Sequence, residues 1–307
     1  MKILVTGGIG YIGLSLVERL IQRSDVSQVL VYDNLSKNNF NFFFDPVIRS
    51  SKLKFMEGDI LDNHRFQDAL EGCDWVYHLA SVLPNSRTSQ NLHSFDQVNN
   101  WGTAQVVDAV ERSDVKGLVY TSSTEVYGKS AEPAAESKTP HPATQYGKSK
   151  LNAEQHVARL SGKMDVYRMR VGKVYGYNSC FYAESVINRM LFSAHHYNQI
   201  IIDGDGSHVL GFSYLQSVAS SLDAILSDTF PPNVYNLVTA NFSVLQIADV
   251  IERLYPELET RFVSQDMTLE SIPVLPNERV LVVPSDSLVD LESHLIEMKN
   301  RFSVLGN

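Results

Sequence analysis

A chain of 307 residues, 44% of them apolar, is long enough for one large domain or two smaller ones and has an ordinary globular composition. Its net charge of −9 argues against a nucleic-acid surface, no window approaches a membrane span, and no secretory leader precedes the first apolar run. Cys73 and Cys180 supply neither a disulfide framework nor a metal-ligand spacing, so the expectation is a cytoplasmic protein without metal, membrane or nucleic-acid partners.

Ile3-Leu4-Val5 reads as a buried parallel strand. Thr6-Gly7-Gly8 turns the chain, and Gly10 and Gly13 open a helix whose apolar face is Ile12, Leu16, Val17 and Leu20. Glycines at 7, 10 and 13 have the mechanics of a dinucleotide turn. The first permits the tight turn, the second lets backbone N–H groups approach a pyrophosphate, and the third lets helix and strand pack closely. About twenty residues on, Asp33 ends a second strand, where a carboxylate meets the ribose hydroxyls of NAD and repels the 2′-phosphate of NADP. No arginine follows it at once, which favours NAD.

Residues 37–50, rich in phenylalanine, read as a loop or short helix. Residues 54–59 are a third strand, with Asp59 and Ile60 near the adenine, and 65–70 a short helix. Residues 74–80 form a fourth strand, 99–112 a helix and 117–123 a fifth strand. After a proline-rich loop, 146–160 is helical and 165–170 is a sixth strand. This alternation predicts a doubly wound parallel α/β sheet of the Rossmann type over residues 1–172. Residues 173–307 read as a smaller mixed α/β lobe over the substrate, with some elements returning to the main sheet: helices at 185–195, 215–226 and 244–254, strands at 199–202 and 233–237. His195 and His196 are adjacent on a helix, cannot share one metal, and read as surface.

Tyr146 and Lys150 stand at i and i+4, on one face of their helix. A free tyrosine holds its proton to about pH 10. A lysine cation and a positive nicotinamide beside it would lower that value, so the phenolate could take a hydroxyl proton while hydride leaves the same carbon. Ser123, at the end of the fifth strand, could hold that oxygen.

These residues resemble the extended short-chain dehydrogenase/reductase family, and within it the NAD-dependent nucleotide-sugar epimerases and dehydratases. The matching pieces are residues 6–13, Asp33, Gly58-Asp59-Ile60, His78-Leu79-Ala80, Asn99 with Gly102-Thr103, residues 122–128, and Tyr146 with Lys150. The resemblance implies a catalytic Ser123, Tyr146 and Lys150. It implies an NAD site lined by Gly7, Gly10, Tyr11, Ile12, Asp33, Asn34, Asp59, Ile60, Leu79, Ala80, Ser81, Asn99, Thr121, Tyr146, Lys150 and Val174. It also implies a nucleotide-sugar substrate and a homodimer built through a four-helix bundle of helices 99–112 and 146–160.

Glu125, read as extended and on the same side as Ser123, is the expected carbon base of a dehydratase; Thr124 stands where one branch carries an acid. The family's Arg-Asp is replaced by Leu210-Gly211, which removes the usual grip on the diphosphate. Lys173 is then the first candidate to hold it, with Arg189 and Arg279 next. Two other readings stay open on these residues: a dehydrogenase of a small hydroxy or amino acid, and a dinucleotide-sensing protein without turnover.

Overall fold

A computed structural model describes residues 1–84, 92–227, 230–264, 269–280 and 288–302. Strands β1 (Lys2–Thr6), β2 (Gln28–Asp33), β3 (Leu53–Glu57), β4 (Trp75–His78), β5 (Gly117–Ser123) and β6 (Asp165–Val171) alternate with helices α1 (Tyr11–Gln22), α2 (Asn63–Leu70), α3 (Thr103–Glu111) and α4 (Gln145–Ala158). The main sheet has seven parallel strands: β3, β2, β1, β4, β5, β6 and a strand from far along the chain, Val234–Leu237. The strand order reverses between β1 and β4, and in open α/β sheets ligands bind in the crevice beyond the carboxyl ends of the strands at that point.

The sheet is covered on both faces because its strands are apolar on both. Ile3, Val5, Val29, Val31 and Tyr77 pack under α1 and residues 215–225. Leu4, Leu30, Val76 and Leu118 pack on the other side with Phe66, Val106, Val110, Ala153 and Val157. Alternate residues of one strand thus feed two cores.

From residue 173 the chain adds β7 (Lys173–Tyr175), α5 (Val186–Tyr197), β8 (Gln199–Asp203), β9 (Val209–Tyr214), α6 (Leu215–Ala224), β10 (Val234–Leu237), β11 (Ala240–Ser243), α7 (Val244–Leu254), β12 (Glu259–Val263) and α8 (Leu288–Arg301). Strands β11, β9 and β7 form a small mixed sheet, and β12 pairs with β8. A third core holds Ile187, Leu191, Ile202, Phe212, Ile247, Ile251, Leu291 and Leu295.

Residues 37–50, expected as a loop or short helix, hold two short 3₁₀ helices, Phe40–Phe44 and Pro46–Ile48; Phe42 is buried and Phe44 is 76% exposed. Other local expectations change. The helix expected at 99–112 begins earlier, as a π-helical segment Phe95–Gly102 that runs into α3. His195 is not plain surface: its Nδ1 lies 2.9 Å from the Tyr255 hydroxyl, while His196 is exposed. Strands β7, β9, β11 and β12 lack the apolar runs that mark the main sheet.

The catalytic-helix candidate α4 is tied to β6 by a buried ion pair. Arg170 donates from Nε to Glu154 Oε1 at 2.9 Å and from Nη2 to Oε2 at 2.7 Å, with both side chains over nine-tenths buried. The guanidinium also lies 4.8 Å from the centre of the Tyr127 ring, and the Tyr127 hydroxyl donates to Asn236 Oδ1 on β10 at 2.6 Å. Removing one partner of such a pair strands the other charge, at a cost of about 3–5 kcal/mol. Glu154→Leu is therefore expected to lower the unfolding free energy in urea by about that amount, and Glu154→Leu with Arg170→Leu by clearly less. A single-variant loss under about 1 kcal/mol would contradict the pairing.

Candidate active site

The turn after β1 is built by missing side chains. Gly7 has φ +69°, and a Cβ there would sit 2.6 Å from the Ala80 nitrogen. A Cβ on Gly13 would sit 2.4 Å from the Gly7 carbonyl oxygen. The turn, α1 and the end of β4 therefore touch backbone to backbone. Gly10 caps α1 without a side-chain acceptor, so no side chain competes for the first N–H groups of the helix. Gly10, Tyr11, Ile12 and Gly13 line a cavity of about 750 Å³, and a pyrophosphate fits this cradle.

Asp33 lines one end of the cavity. Its oxygens accept N–H bonds from Leu35 at 2.9 Å and Ile9 at 3.4 Å, and burial raises its pKa against those bonds. Asn34 donates to Asp59 Oδ2 at 2.9 Å, which ties the ends of β2 and β3 together. Lys37 also lines the wall, a residue the sequence reading did not single out.

The other end carries Ser123, Glu125, Tyr146, Lys150 and Lys173. Ser123 Oγ accepts the Glu125 N–H at 3.2 Å and so caps a 3₁₀ turn, Thr124–Tyr127. Thr144 caps α4: its Oγ1 accepts the Gly147 N–H at 2.9 Å and donates to Glu125 Oε2 at 2.9 Å. Lys173 donates to the other oxygen, Glu125 Oε1. Burial raises the Glu125 pKa, but the Lys173 charge and the two side-chain bonds outweigh it, and the net direction is down.

Tyr146 and Lys150 lie one turn apart and are both buried. Burial, then the Glu125 charge, raise the phenol pKa; a bond from Ser123 works against them. Burial pushes Lys150 down to about 7, opposed by Glu154, and its Nζ lies 4.6 Å from the centre of the Tyr120 ring. The expected lowering of the Tyr146 pKa by Lys150 is thus absent in the protein alone. A positive nicotinamide at this end would act in the direction of ionising the phenol.

A buried chain of hydrogen bonds joins the two ends. The Thr6 hydroxyl lies 2.7 Å from His78 Nδ1, and His78 Nε2 lies 3.0 Å from the Thr103 hydroxyl. Thr103 donates its own proton to the Asn99 carbonyl at 2.6 Å, so it accepts from His78, and Nε2 carries the imidazole proton. Burial, then the Lys150 charge, push His78 down to about 3, which keeps it neutral. The Asn99 amide accepts from Val82 N at 2.8 Å and donates to Val82 O at 3.0 Å and to Ser149 Oγ at 3.2 Å; Ser149 donates to the Tyr146 carbonyl at 2.8 Å.

The residues expected to hold NAD lie on the wall of this cavity, except Asn99, which is buried behind it. Thr124 is also buried and is not on the wall. Glu125 reaches the cavity from a 3₁₀ turn, not from an extended segment. Lys173 is on the wall but is paired with Glu125. Arg189 and Arg279 do not line the cavity. Arg189 is exposed, 3.9 Å from Asp203, and Arg279 lies in an exposed turn. Leu210 is half-buried within β9, against the third core. Tyr182, Glu184 and Ser185 line the wall from the segment between β7 and α5, where no periodic pattern marks them. Among the described residues the cavity's basic side chains are Lys37, Lys150 and Lys173, with no arginine.

Residues 3–237 match the model of the NAD dependent epimerase/dehydratase family. The dTDP-D-glucose 4,6-dehydratase of Mus musculus is 29% identical over 263 residues, covering 83% of this chain and 73% of that protein. The fold matches UDP-glucuronic acid 4-epimerase from Bacillus cereus, solved with UDP-glucuronic acid and NAD, at a TM-score of 0.84 and 23% identity, over 99% of this chain and all of that one. It also matches dTDP-glucose 4,6-dehydratase from Streptomyces venezuelae, solved with NAD, at a TM-score of 0.85 and 21% identity, over 98% of each chain.

Asp33 is half-buried on the cavity wall, so a cofactor whose adenosine ribose met it would bring a 2′-phosphate against a carboxylate. Calorimetry is expected to show NAD bound at least about tenfold tighter than NADP, a difference of about 1.4 kcal/mol or more. Equal affinities would contradict the placement of Asp33.

Proposed function

The chain belongs to the NAD dependent epimerase/dehydratase family, and on that premise we propose that it oxidises C4 of a nucleotide sugar and re-reduces the sugar within one catalytic cycle. The observation that carries this reading is the convergence of Ser123, Tyr146, Lys150 and an ionised Glu125 at the inner end of the NAD cavity. NAD, when bound, would supply the hydride acceptor and, in its reduced form, the hydride donor. Tyr146 takes the proton of the substrate hydroxyl, and Ser123 holds the same oxygen by hydrogen bond. Lys150 stabilises the phenolate from the next turn of α4. Once C4 is a ketone, the proton on C5 is acidified, and the Glu125 carboxylate is the base positioned to remove it. That proton leaves with the C6 hydroxyl as water, and hydride delivered to C6 with a proton to C5 closes the cycle, which favours a dehydratase over a simple 4-epimerase.

The division into an NAD domain, 1–172, and a substrate lobe, 173–307, belongs to this reading, as does a cytoplasmic setting. The two cysteines are free, and among the described residues no helix is long and apolar enough to cross a membrane. A homodimer through the exposed faces of the helices at 95–111 and 145–158 belongs to it too; Trp101, 58% exposed, lies on the first. A second reading, oxidation of a small hydroxy or amino acid, is favoured by one observation: no arginine lines the cavity among the described residues, and Lys173 is paired. Under that reading added NAD is consumed.

Tyr146→Phe, which loses only the phenol oxygen, is expected to lower kcat by about 10²–10⁴-fold on dTDP-glucose or UDP-glucose while leaving NAD bound. Turnover of the unaltered enzyme in heavy water is expected to place deuterium on product carbon, which a pure 4-epimerase does not do. Near-normal turnover of Tyr146→Phe would overturn the assignment of the proton acceptor.

A further inference from the structure

Lys173 stands on the cavity wall, yet its ammonium is bonded to Glu125. Both partners are held from behind. Gly172 donates its N–H to Ser213 Oγ at 3.0 Å and to Leu237 O at 3.2 Å, and a Cβ on it would lie 2.6 Å from the Gly211 oxygen. Lys173 then opens β7, in register with Phe212 of β9. Gly211, beside Leu210, is therefore part of what seats Lys173. On the other side, Ser123 Oγ caps the 3₁₀ turn that carries Glu125, and Thr144 holds the second carboxylate oxygen. The Lys173 side chain is 35% exposed and that of Glu125 10%, so the pair sits at the boundary between wall and cavity.

We propose that Lys173 is a positioning residue: it is the counter-ion of the Glu125 carboxylate, set against Oε1 at the cavity wall before substrate enters. The proposal rests on the reading of Glu125 as the carbon base. The groups facing Glu125 are Lys173 from β7, Thr144 at the start of α4, and the Tyr146 phenol on α4. Among the described residues Lys173 is the charged group that acts on Glu125. Without it, burial has no opposing charge, and Glu125 takes up a proton at higher pH. Lys173 thus serves the carbon base of the site. It also ties binding to proton affinity: an anionic substrate group that draws Lys173 away makes Glu125 a stronger base.

The sign of the pH effect separates this role from a structural tie. In the natural protein the folded Glu125 pKa lies below the ordinary 4.5, so its contribution to stability is present above that value and lost as pH falls through the folded pKa. In Lys173→Gln the folded value rises above the unfolded one, so stability falls as pH rises through it and returns on acidification. The test is thermal unfolding of the full chain without ligand, between about pH 8 and about pH 5, for the natural protein, Lys173→Gln, Lys173→Arg, Glu125→Gln and the Glu125→Gln/Lys173→Gln pair. Lys173→Gln is expected to melt roughly 5 °C lower at about pH 8 and to recover most of that by about pH 5. Lys173→Arg should track the natural protein, and the double variant should show no pH-dependent deficit. A deficit equal at both pH values, or unrelieved by Glu125→Gln, would overturn the proposal. With dTDP-glucose and UDP-glucose as probes, the acid limb of kcat/KM should move to higher pH in Lys173→Gln. Failure of both probes to turn over counts against the reaction, while the melting comparison still decides the counter-ion role.

Discussion

The buried hydrogen-bond chain from Thr6 through His78 and Thr103 to Asn99 is the constraint on which the site depends. It begins where β1 enters the glycine turn and ends beside Ser149 on α4, one turn from Tyr146. Each member satisfies the next, and the imidazole in the middle is neutral, so no buried charge needs a partner. The π-helical segment that carries Asn99 follows from the same requirement. Its wider turns present the amide to the Val82 backbone, on the connection leaving β4, while Thr103 still reaches the Asn99 carbonyl. The glycine turn and helix α4 are thereby joined through one buried hydrogen-bond network.

Around this frame the chemistry is set by burial working against charge. Among the described residues, Lys150 is pushed down, the Tyr146 phenol is pushed up, and Glu125 is held down by Lys173 and its hydrogen bonds. In the protein alone, then, the Tyr146 phenol keeps its proton and the Glu125 carboxyl has lost its own. A positive charge arriving beside Tyr146 shifts the first balance and an anion arriving beside Lys173 shifts the second. The site is poised for a cofactor of one sign and a substrate of the other.

The parallel sheet, the glycine turn and Asp33 were legible because each depends on local pattern: apolar runs of strand length, glycines where Cβ atoms would collide, and an acid at a strand end. Tyr146 and Lys150 were legible because helical spacing alone puts them together. The pairing of Lys173 with Glu125 was not, since it joins residues 48 apart through a strand of three residues that carries no pattern of its own. Arg189 and Arg279 attracted attention by charge, but charge does not say which way a helix or turn faces. Asn99 could be matched by resemblance, yet its bracing role depends on the π-helical geometry. Leu210 marks the reverse case: a missing arginine was visible, while the strand that accommodates leucine there was not.

The central claim is a redox cycle that closes on itself, and counting turnovers against bound cofactor tests it most directly. Protein loaded with one equivalent of NAD, freed of excess and given dTDP-glucose or UDP-glucose should convert many equivalents of sugar with no NAD added. Product that stops near one equivalent per chain, and resumes only on addition of NAD, would contradict the account.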